Sequence, residues 1–121
     1  MSYSARRQQY AFPLAPTRNN AAVIASFAVP ASKTIEVYDL KAYMSTAGSA
    51  AGCAVDLKQD GGSALMTVTT ANSTGAKATA SSRPIAVTGA ASTGSKLELI
   101  QNTTDTTGIG TVVLDMDAIY T

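Results

Sequence analysis

The sequence predicts an all-β fold, an antiparallel β-sandwich or jelly-roll-like domain of about seven or eight strands with an extended N-terminal arm. Apolar and polar residues alternate with the period of two that is typical of strands, and no segment sustains the period of an amphipathic helix. Turns rich in Gly, Pro, Ser and Asn separate the alternating segments. Charged residues make up only 14% of the chain, against about 25% in typical domains, and the abundant Ser and Thr suit strands with hydroxyl-coated outer faces.

The N-terminal segment of residues 1–20 differs in charge from the rest of the chain. It contains three arginines and no acidic residue, which gives it a charge of +3. The remaining six bases and eight acids give residues 21–121 a charge of −2. A basic segment before a slightly acidic body favours a partner with a negative surface or a neighbouring copy of the same protein. Three arginines are too small an electrostatic footprint to predict direct nucleic-acid binding.

Prolines and apolar residues indicate how this segment is used. Pro13 and Pro16 favour an extended, polyproline-like backbone and oppose regular strand pairing. The aromatic and leucine side chains are anchors that a solvated tail does not need, and a disordered leader is the simple alternative. We therefore predict an arm over residues 1–20 that reaches a neighbouring subunit, with aromatic side chains in pockets and arginines on carboxylates. The candidate partner-binding residues are Tyr3, Arg6, Arg7, Tyr10, Phe12, Leu14 and Arg18.

The sandwich domain is expected to occupy residues 21–121 and to begin with two long strands. The first is AAVIASFAV, which ends at Pro30. The side chains that it directs to one face are Val23, Ala25, Phe27 and Val29. The second, KTIEVYDLKAYM, starts with Ile35 and Val37 inward and then switches its inward face, which predicts a β-bulge or bend. The inward side chains after the switch are Leu40, Ala42 and Met44.

The next two strands flank a glycine turn. The segment CAVDLKQD has an apolar face and a charged face, and Gly61-Gly62 then turns the chain into SALMTVTT. The apolar face carries Cys53, Val55 and Leu57, and the charged face carries Asp56, Lys58 and Asp60. The segment ANSTGAK follows as a loop.

Three strands complete the predicted domain. RPIAVTG directs Ile85 and Val87 inward, and KLELIQN alternates Leu97 and Leu99 with Lys96 and Glu98. After the Thr-rich loop NTTDTTGIG, the last strand has an apolar face opposite two carboxylates, Asp115 and Asp117. The apolar residues of this strand are Val112, Leu114, Met116, Ala118 and Tyr120.

The side chains that enzymes use for catalysis are scarce. The chain has no His and no Gly-x-Ser-x-Gly motif, and its only glutamates, Glu36 and Glu98, stand beside Lys on outward strand positions. Cys53 is the only cysteine, so neither an intramolecular disulfide nor a cysteine metal cluster can form. We therefore expect a protein that is not an enzyme and that uses no cofactor.

A metal site is the next alternative. Asp115 and Asp117 emerge on the same side of one strand, about 7 Å apart, and Asp56, Asp60 and Asp105 supply further carboxylates. Calcium needs six or more converging oxygen atoms. A solvated face explains these positions as well, so no metal ligand is predicted.

The compartment is indicated by what the sequence lacks. No apolar run approaches the roughly 18 residues of a membrane span, and QQYAFP follows the first arginines where a signal peptide would have an apolar stretch. We expect a protein made in a reducing compartment, with no membrane partner.

Residues 21–121 resemble a known class of virus protein. VDLKQDGGSALMTVTTA, RPIAVTGA and SKLELIQNTTDTTGIGTVVLDMDAIY together resemble small β-sandwich virion proteins of tailed bacteriophages, and most of all capsid decoration (cement) proteins. The resemblance implies a structural protein on the outer capsid surface, made in the host cytoplasm, that binds the major capsid protein lattice. It also implies a homo-oligomer, with a trimer favoured, in which the arm staples neighbouring subunits and stabilises the capsid.

Other functions remain open from the sequence. A phage fibre or receptor-binding module that recognises host surface glycans would be favoured by exposed tyrosines clustered at loop tips, and the Thr/Gly loops at residues 71–78 and 103–110 are where such a surface would be sought. A calcium-dependent adhesion domain or a fragment of a secreted enzyme would need Asp115, Asp117 and a third carboxylate to converge. A self-polymerising tail or surface-layer subunit is the fourth alternative.

Overall fold

The computed structural model describes residues 7–14, 22–46, 54–69, 77–80, 84–101 and 109–117, and these ranges contain nine strands. The strands are β1 (Arg7–Leu14), β2 (Ala22–Val29), β3 (Thr34–Thr46), β4 (Ala54–Gln59), β5 (Ala64–Thr69), β6 (Lys77–Thr79), β7 (Ile85–Thr88), β8 (Ser95–Gln101) and β9 (Ile109–Asp117). All pairings between them are antiparallel. No described residue belongs to a helix with the length and apolar character that crossing a membrane requires.

The strands form two sheets in the order of a jelly roll. The first sheet has the order β1-β9-β3-β6, with β7 also paired to β3, and the second has the order β2-β8-β4-β5. The pairs are nested, because the first strand pairs with the last, the second with the last but one, and the innermost pair is β4 with β5. This arrangement confirms the predicted class.

The two strands beyond the seven segments singled out in the sequence are β1, which lies in the predicted arm, and β6, because one position in the first sheet is divided between β6 and β7. β7 pairs with the start of β3 and β6 with its later part, at Lys41 to Tyr43. Counted together, β6 and β7 form the sixth of the eight strands of the jelly roll. The prediction of a loop over the whole of ANSTGAK is wrong at its end, since β6 begins at Lys77.

The core lies between the two sheets and confirms the inward residues predicted for β3, β4, β8 and β9 within the described ranges. Its fully buried members include Val37, Leu40, Val55, Leu57, Leu97, Leu99, Val112 and Leu114. Val87 is also buried, and Ile85 packs against the same cluster. Cys53, Ala118 and Tyr120 lie outside the described residues.

Two β-bulges adjust which side chains enter this core. In β3 the register to β9 shifts between Val37 and Asp39, so that Leu40 follows Val37 into the interior, as predicted. In β2 a shift between Val23 and Ala25 turns Val23 to the opposite side, where it is 49% exposed. The prediction that Val23 shares the inward face of Ala25 and Phe27 is therefore wrong.

A tight hairpin joins β4 to β5. Asp60 and Gly61 have φ values of 52° and 72°, and the Gly62 N–H donates to the Gln59 carbonyl at 3.0 Å. Two central residues with positive φ match the right-handed twist of the flanking strands. The turn predicted at Gly61-Gly62 is therefore present, centred one residue earlier.

The β1 strand changes the description of the N-terminal segment. All eight of its residues pair with β9, from Arg7 opposite Asp117 to Leu14 opposite Gly110. The expectation that prolines prevent regular pairing is wrong for residues 7–14, because β1 is an edge strand, where a missing N–H is tolerated. These residues are part of the sandwich and not an appendage to it.

Candidate interaction face

The β1 strand places four of the predicted partner-binding residues on two sides of the first sheet. Tyr10, Phe12 and Leu14 point toward the second sheet, and Leu14 is buried. The Tyr10 and Phe12 rings lie 5.1 Å and 6.1 Å from the Phe27 ring of β2, in tilted and edge-on arrangements. These anchors therefore contact their own chain. Tyr3, Arg6 and Arg18 lie outside the described residues.

Arg7 points to the other side, which we call the outer face, the side of the first sheet turned away from the second. Its Nε lies 2.9 Å and 3.1 Å from the two carboxylate oxygens of Asp115, and its Nη2 lies 2.6 Å from Oδ2. The guanidinium carbon also lies 4.4 Å from the centre of the Tyr38 ring. This paired ion contact with an aromatic support fixes the start of β1 on the body.

Asp117 completes a polar network around this contact. Its Oδ1 accepts a hydrogen bond from the Tyr38 hydroxyl at 2.5 Å, and its Oδ2 accepts one from the Glu36 N–H at 2.9 Å. Next to it, Asp39 stands directly opposite Asp115 in the ladder and lies 3.5 Å from the Lys41 ammonium group. We call one group of side chains the charged half of the outer face: Arg7, Tyr38, Asp39, Lys41, Asp115 and Asp117.

The carboxylates of the charged half are buried, contrary to the prediction of a solvated face. Asp115 is 3% exposed and Asp117 is 7% exposed, although both occur on the side of β9 opposite its apolar residues, as expected. Each is supported by donors from other strands, because a buried carboxylate without donors is unfavourable. Sequence alone places these donors far from Asp115, with Arg7 separated from it by 108 positions.

The contacts shift the pKa values of the groups involved. The hydrogen bond from Arg7, followed by its charge, holds the pKa of Asp115 below the ordinary carboxyl value, against the opposing effect of burial. The same hydrogen bond raises the pKa of Arg7. The hydrogen bond to Asp117 is the main cause that raises the pKa of Tyr38.

The remainder of the outer face carries few charges. Its side chains lie beyond the charged half on β1, β9 and β3, and we call this surface the neutral half. Its members are Ala11, Pro13, Tyr43, Thr111 and Val113. Tyr43 is 40% exposed, and Ala11 and Pro13 are exposed beside it on the edge strand. The exposed aromatic ring and low charge of this half suit contact with another protein, because aromatic residues are enriched and charged residues depleted at the centres of interfaces.

A groove lies at the end of the second sheet, where β2 meets β8. It has a volume of about 640 Å³ and is lined by Ser26 to Pro30, Asp60 and Thr93 to Lys96. Asp60 already accepts a hydrogen bond from the Lys96 N–H at 2.8 Å, which lowers its pKa. The Asp60 carboxylate therefore joins the hairpin to β8.

The predicted calcium alternative finds no support among the described residues. No group of three or more His, Cys, Asp or Glu side chains in these ranges is arranged to hold a metal ion. Asp115 and Asp117 instead accept hydrogen bonds from Arg7 and Tyr38.

No protein-family model and no curated protein matches this chain. Tyr38 and Asp39, which the sequence did not single out as site residues, are central to the charged half. The sequence feature that points to these two residues is the change of phase in the apolar alternation of β3, between Val37 and Leu40.

Proposed function

We propose that this chain is a structural virion protein of a tailed phage, which decorates and stabilises the capsid by binding the major capsid protein lattice. In this proposal the N-terminal segment staples neighbouring subunits, and the protein acts as a homo-oligomer on the outer capsid surface. The observation that carries the proposal is the nested strand order of a jelly roll. Viral capsid domains are among the proteins that use this architecture.

The fold alone does not decide the function, because one architecture serves many activities. The proposal therefore also depends on the resemblance of residues 21–121 to phage decoration proteins. The low charge of the neutral half of the outer face agrees with a role in which many copies each make a modest contact. A standard interface buries about 800 Å² on each partner.

The neutral half of the outer face is the surface that we assign to the lattice. Tyr43 would supply the aromatic anchor, since aromatic residues are enriched at the centres of interfaces. The low charge of the neighbouring Ala11, Pro13 and Thr111 would leave few polar groups to desolvate.

Co-sedimentation of the purified protein with empty capsids tests the proposal. The unmodified chain should sediment with capsids, Tyr43→Glu should lose this binding, and Thr69→Glu should retain it. Thr69 is the matched control because it is also an exposed strand residue but lies on β5, in the second sheet. If the unmodified chain does not sediment with capsids, the proposal is contradicted. If Tyr43→Glu and Thr69→Glu bind equally well, the assignment of the neutral half as the binding surface is contradicted.

A second function, glycan recognition by a phage fibre or receptor-binding module, is favoured by one observation. Lectin domains also use the jelly roll, and Tyr43 offers an exposed ring of the kind that stacks on sugars. The loops at 71–78 and 103–110, which the sequence analysis named as the place to look for a glycan-binding surface, contain no tyrosine and lie mostly outside the described residues. Binding to host-cell glycans without binding to capsids would select this function.

A further inference from the structure

The docking site of β1 consists of residues that lie on other strands, β2, β3 and β9, and follow it in the chain. β1 pairs with β9, its rings contact Phe27, and its arginine contacts Tyr38 and Asp115. A second copy of the chain presents the same site with the same register. Nothing in these contacts requires that strand and site belong to one molecule.

β1 is also held at only one edge. It occupies the end of the first sheet, and Leu14 is the only one of its eight residues that is buried. Its pairing partner β9, by contrast, lies between β1 and β3. Removal of β1 would therefore leave the rest of the sheet paired.

The connection between β1 and β2 is long enough for exchange. Seven residues, 15–21, separate the two strands. Seven residues reach roughly 23–25 Å when extended, whereas packed sheets are about 10 Å apart. The connection is thus longer than the spacing that it has to cross between the two sheets.

We propose that β1 is exchanged between copies of this chain, so that Arg7–Leu14 of one copy pairs with β9 of the next. The ring contacts on Phe27 and the ion pair with Asp115 are then made between molecules. Because closed and exchanged forms contain the same contacts, the balance depends on the connection and on the local concentration of copies. This inference identifies a second copy of the chain as the partner of the stapling segment. Its biological role rests on the proposed function, but the exchange itself needs no capsid.

The test uses two full-length variants, both with Cys53→Ala, so that only introduced thiols react. One carries Ala11→Cys on β1 and the other Val113→Cys on β9, which are directly opposite each other in the ladder. The two are unfolded, mixed and refolded together at high concentration, and then treated with a short bifunctional maleimide. Exchange predicts a covalent heterodimer of twice the 12.3 kDa chain mass.

The matched control replaces Val113→Cys with Ala86→Cys, an exposed strand residue on β7, which does not pair with β1. The matched pair should give about a tenfold or greater excess of heterodimer, because adjacency raises the effective concentration of the thiols. A double variant with both cysteines in one chain verifies that they can be linked. Heterodimer no more abundant than in the control, while the double variant links internally, would overturn exchange. Capsid binding by an unexchanged chain would leave the decoration role intact.

Discussion

Arg7, at the start of the first strand, donates to both carboxylate oxygens of Asp115 on the last strand, with its Nη2 only 2.6 Å from Oδ2. The two side chains differ in environment, because the Arg7 side chain is 60% exposed and that of Asp115 only 5%. The exposed arginine side chain therefore covers a carboxylate that is buried in the sheet. This contact leads to the first two predictions.

Replacement of Arg7 should destabilise the protein more than replacement of an ordinary surface arginine. Arg7→Ala removes the donors of a buried carboxylate, whereas Arg7→Lys keeps the charge but loses the paired geometry, so its effect should be intermediate. Thermal unfolding of both variants measures this order. Arg7→Ala combined with Asp115→Asn should recover part of the lost stability, and strictly additive effects would contradict direct coupling.

The stability of the protein should fall in acid through Asp115. Since its folded pKa is lowered, the contribution is fully present above the ordinary value of 3.8 and is lost as the pH falls through the lower folded pKa. Urea unfolding from about pH 5 to about pH 2 measures it. Asp115→Asn should be less stable than the unmodified chain at the upper end, and this difference should shrink toward the lower end. A constant difference would contradict the linkage.

The Phe27 ring should be the main apolar support of β1. Phe27→Ala removes the contacts with Tyr10 and Phe12 and should lower the free energy of unfolding by about 3 kcal/mol, at the low end for buried phenylalanines because this ring is half-buried. Phe27→Leu should cost less, because it retains most of the volume. Equal losses in the two variants would indicate that the ring contacts contribute little.

Truncation should separate the segment before β1 from β1 itself. A chain without residues 1–6 should keep the cooperative unfolding of the full chain, because β1 and its contacts remain. A chain without residues 1–14 loses β1 and exposes the apolar edge at Leu114 and Phe27, so it should aggregate or unfold at a much lower temperature. Circular dichroism during heating measures both, and equal stability of the two would show that β1 contributes nothing.

The sequence predicts the fold wherever alternation is unbroken or its break is visible. In β3 the apolar residues change from Val37 to Leu40, which reveals the bulge. In β2 the apolar residues stay in phase from Val23 to Val29 although the backbone shifts, so the bulge is invisible in the sequence. The class, the core of β4, β8 and β9, and the turn near Gly61 follow from local patterns.

The charged half could not be predicted because its contacts are not local. Period-two alternation places Asp115 and Asp117 correctly on the side opposite the core, but alternation does not say whether that side is covered. Arg7 and Tyr38 reach these acids only because the first and last strands are neighbours. The prolines of the N-terminal segment also point away from pairing, and only the edge position of β1 makes Pro13 acceptable.

The pairing of the first strand with the last also orders events during synthesis. Leu14 leaves the ribosome about a hundred residues before its partner Gly110, and at ordinary translation rates of about 5–20 residues per second this delay is about 5–20 s. During this delay Tyr10 and Phe12 cannot take their places in the sandwich, because β9, the strand that pairs with β1, has not been synthesised. The nascent chain therefore carries an apolar segment that waits for the last strand, and in a polysome the finished β9 of a neighbouring chain is available before its own.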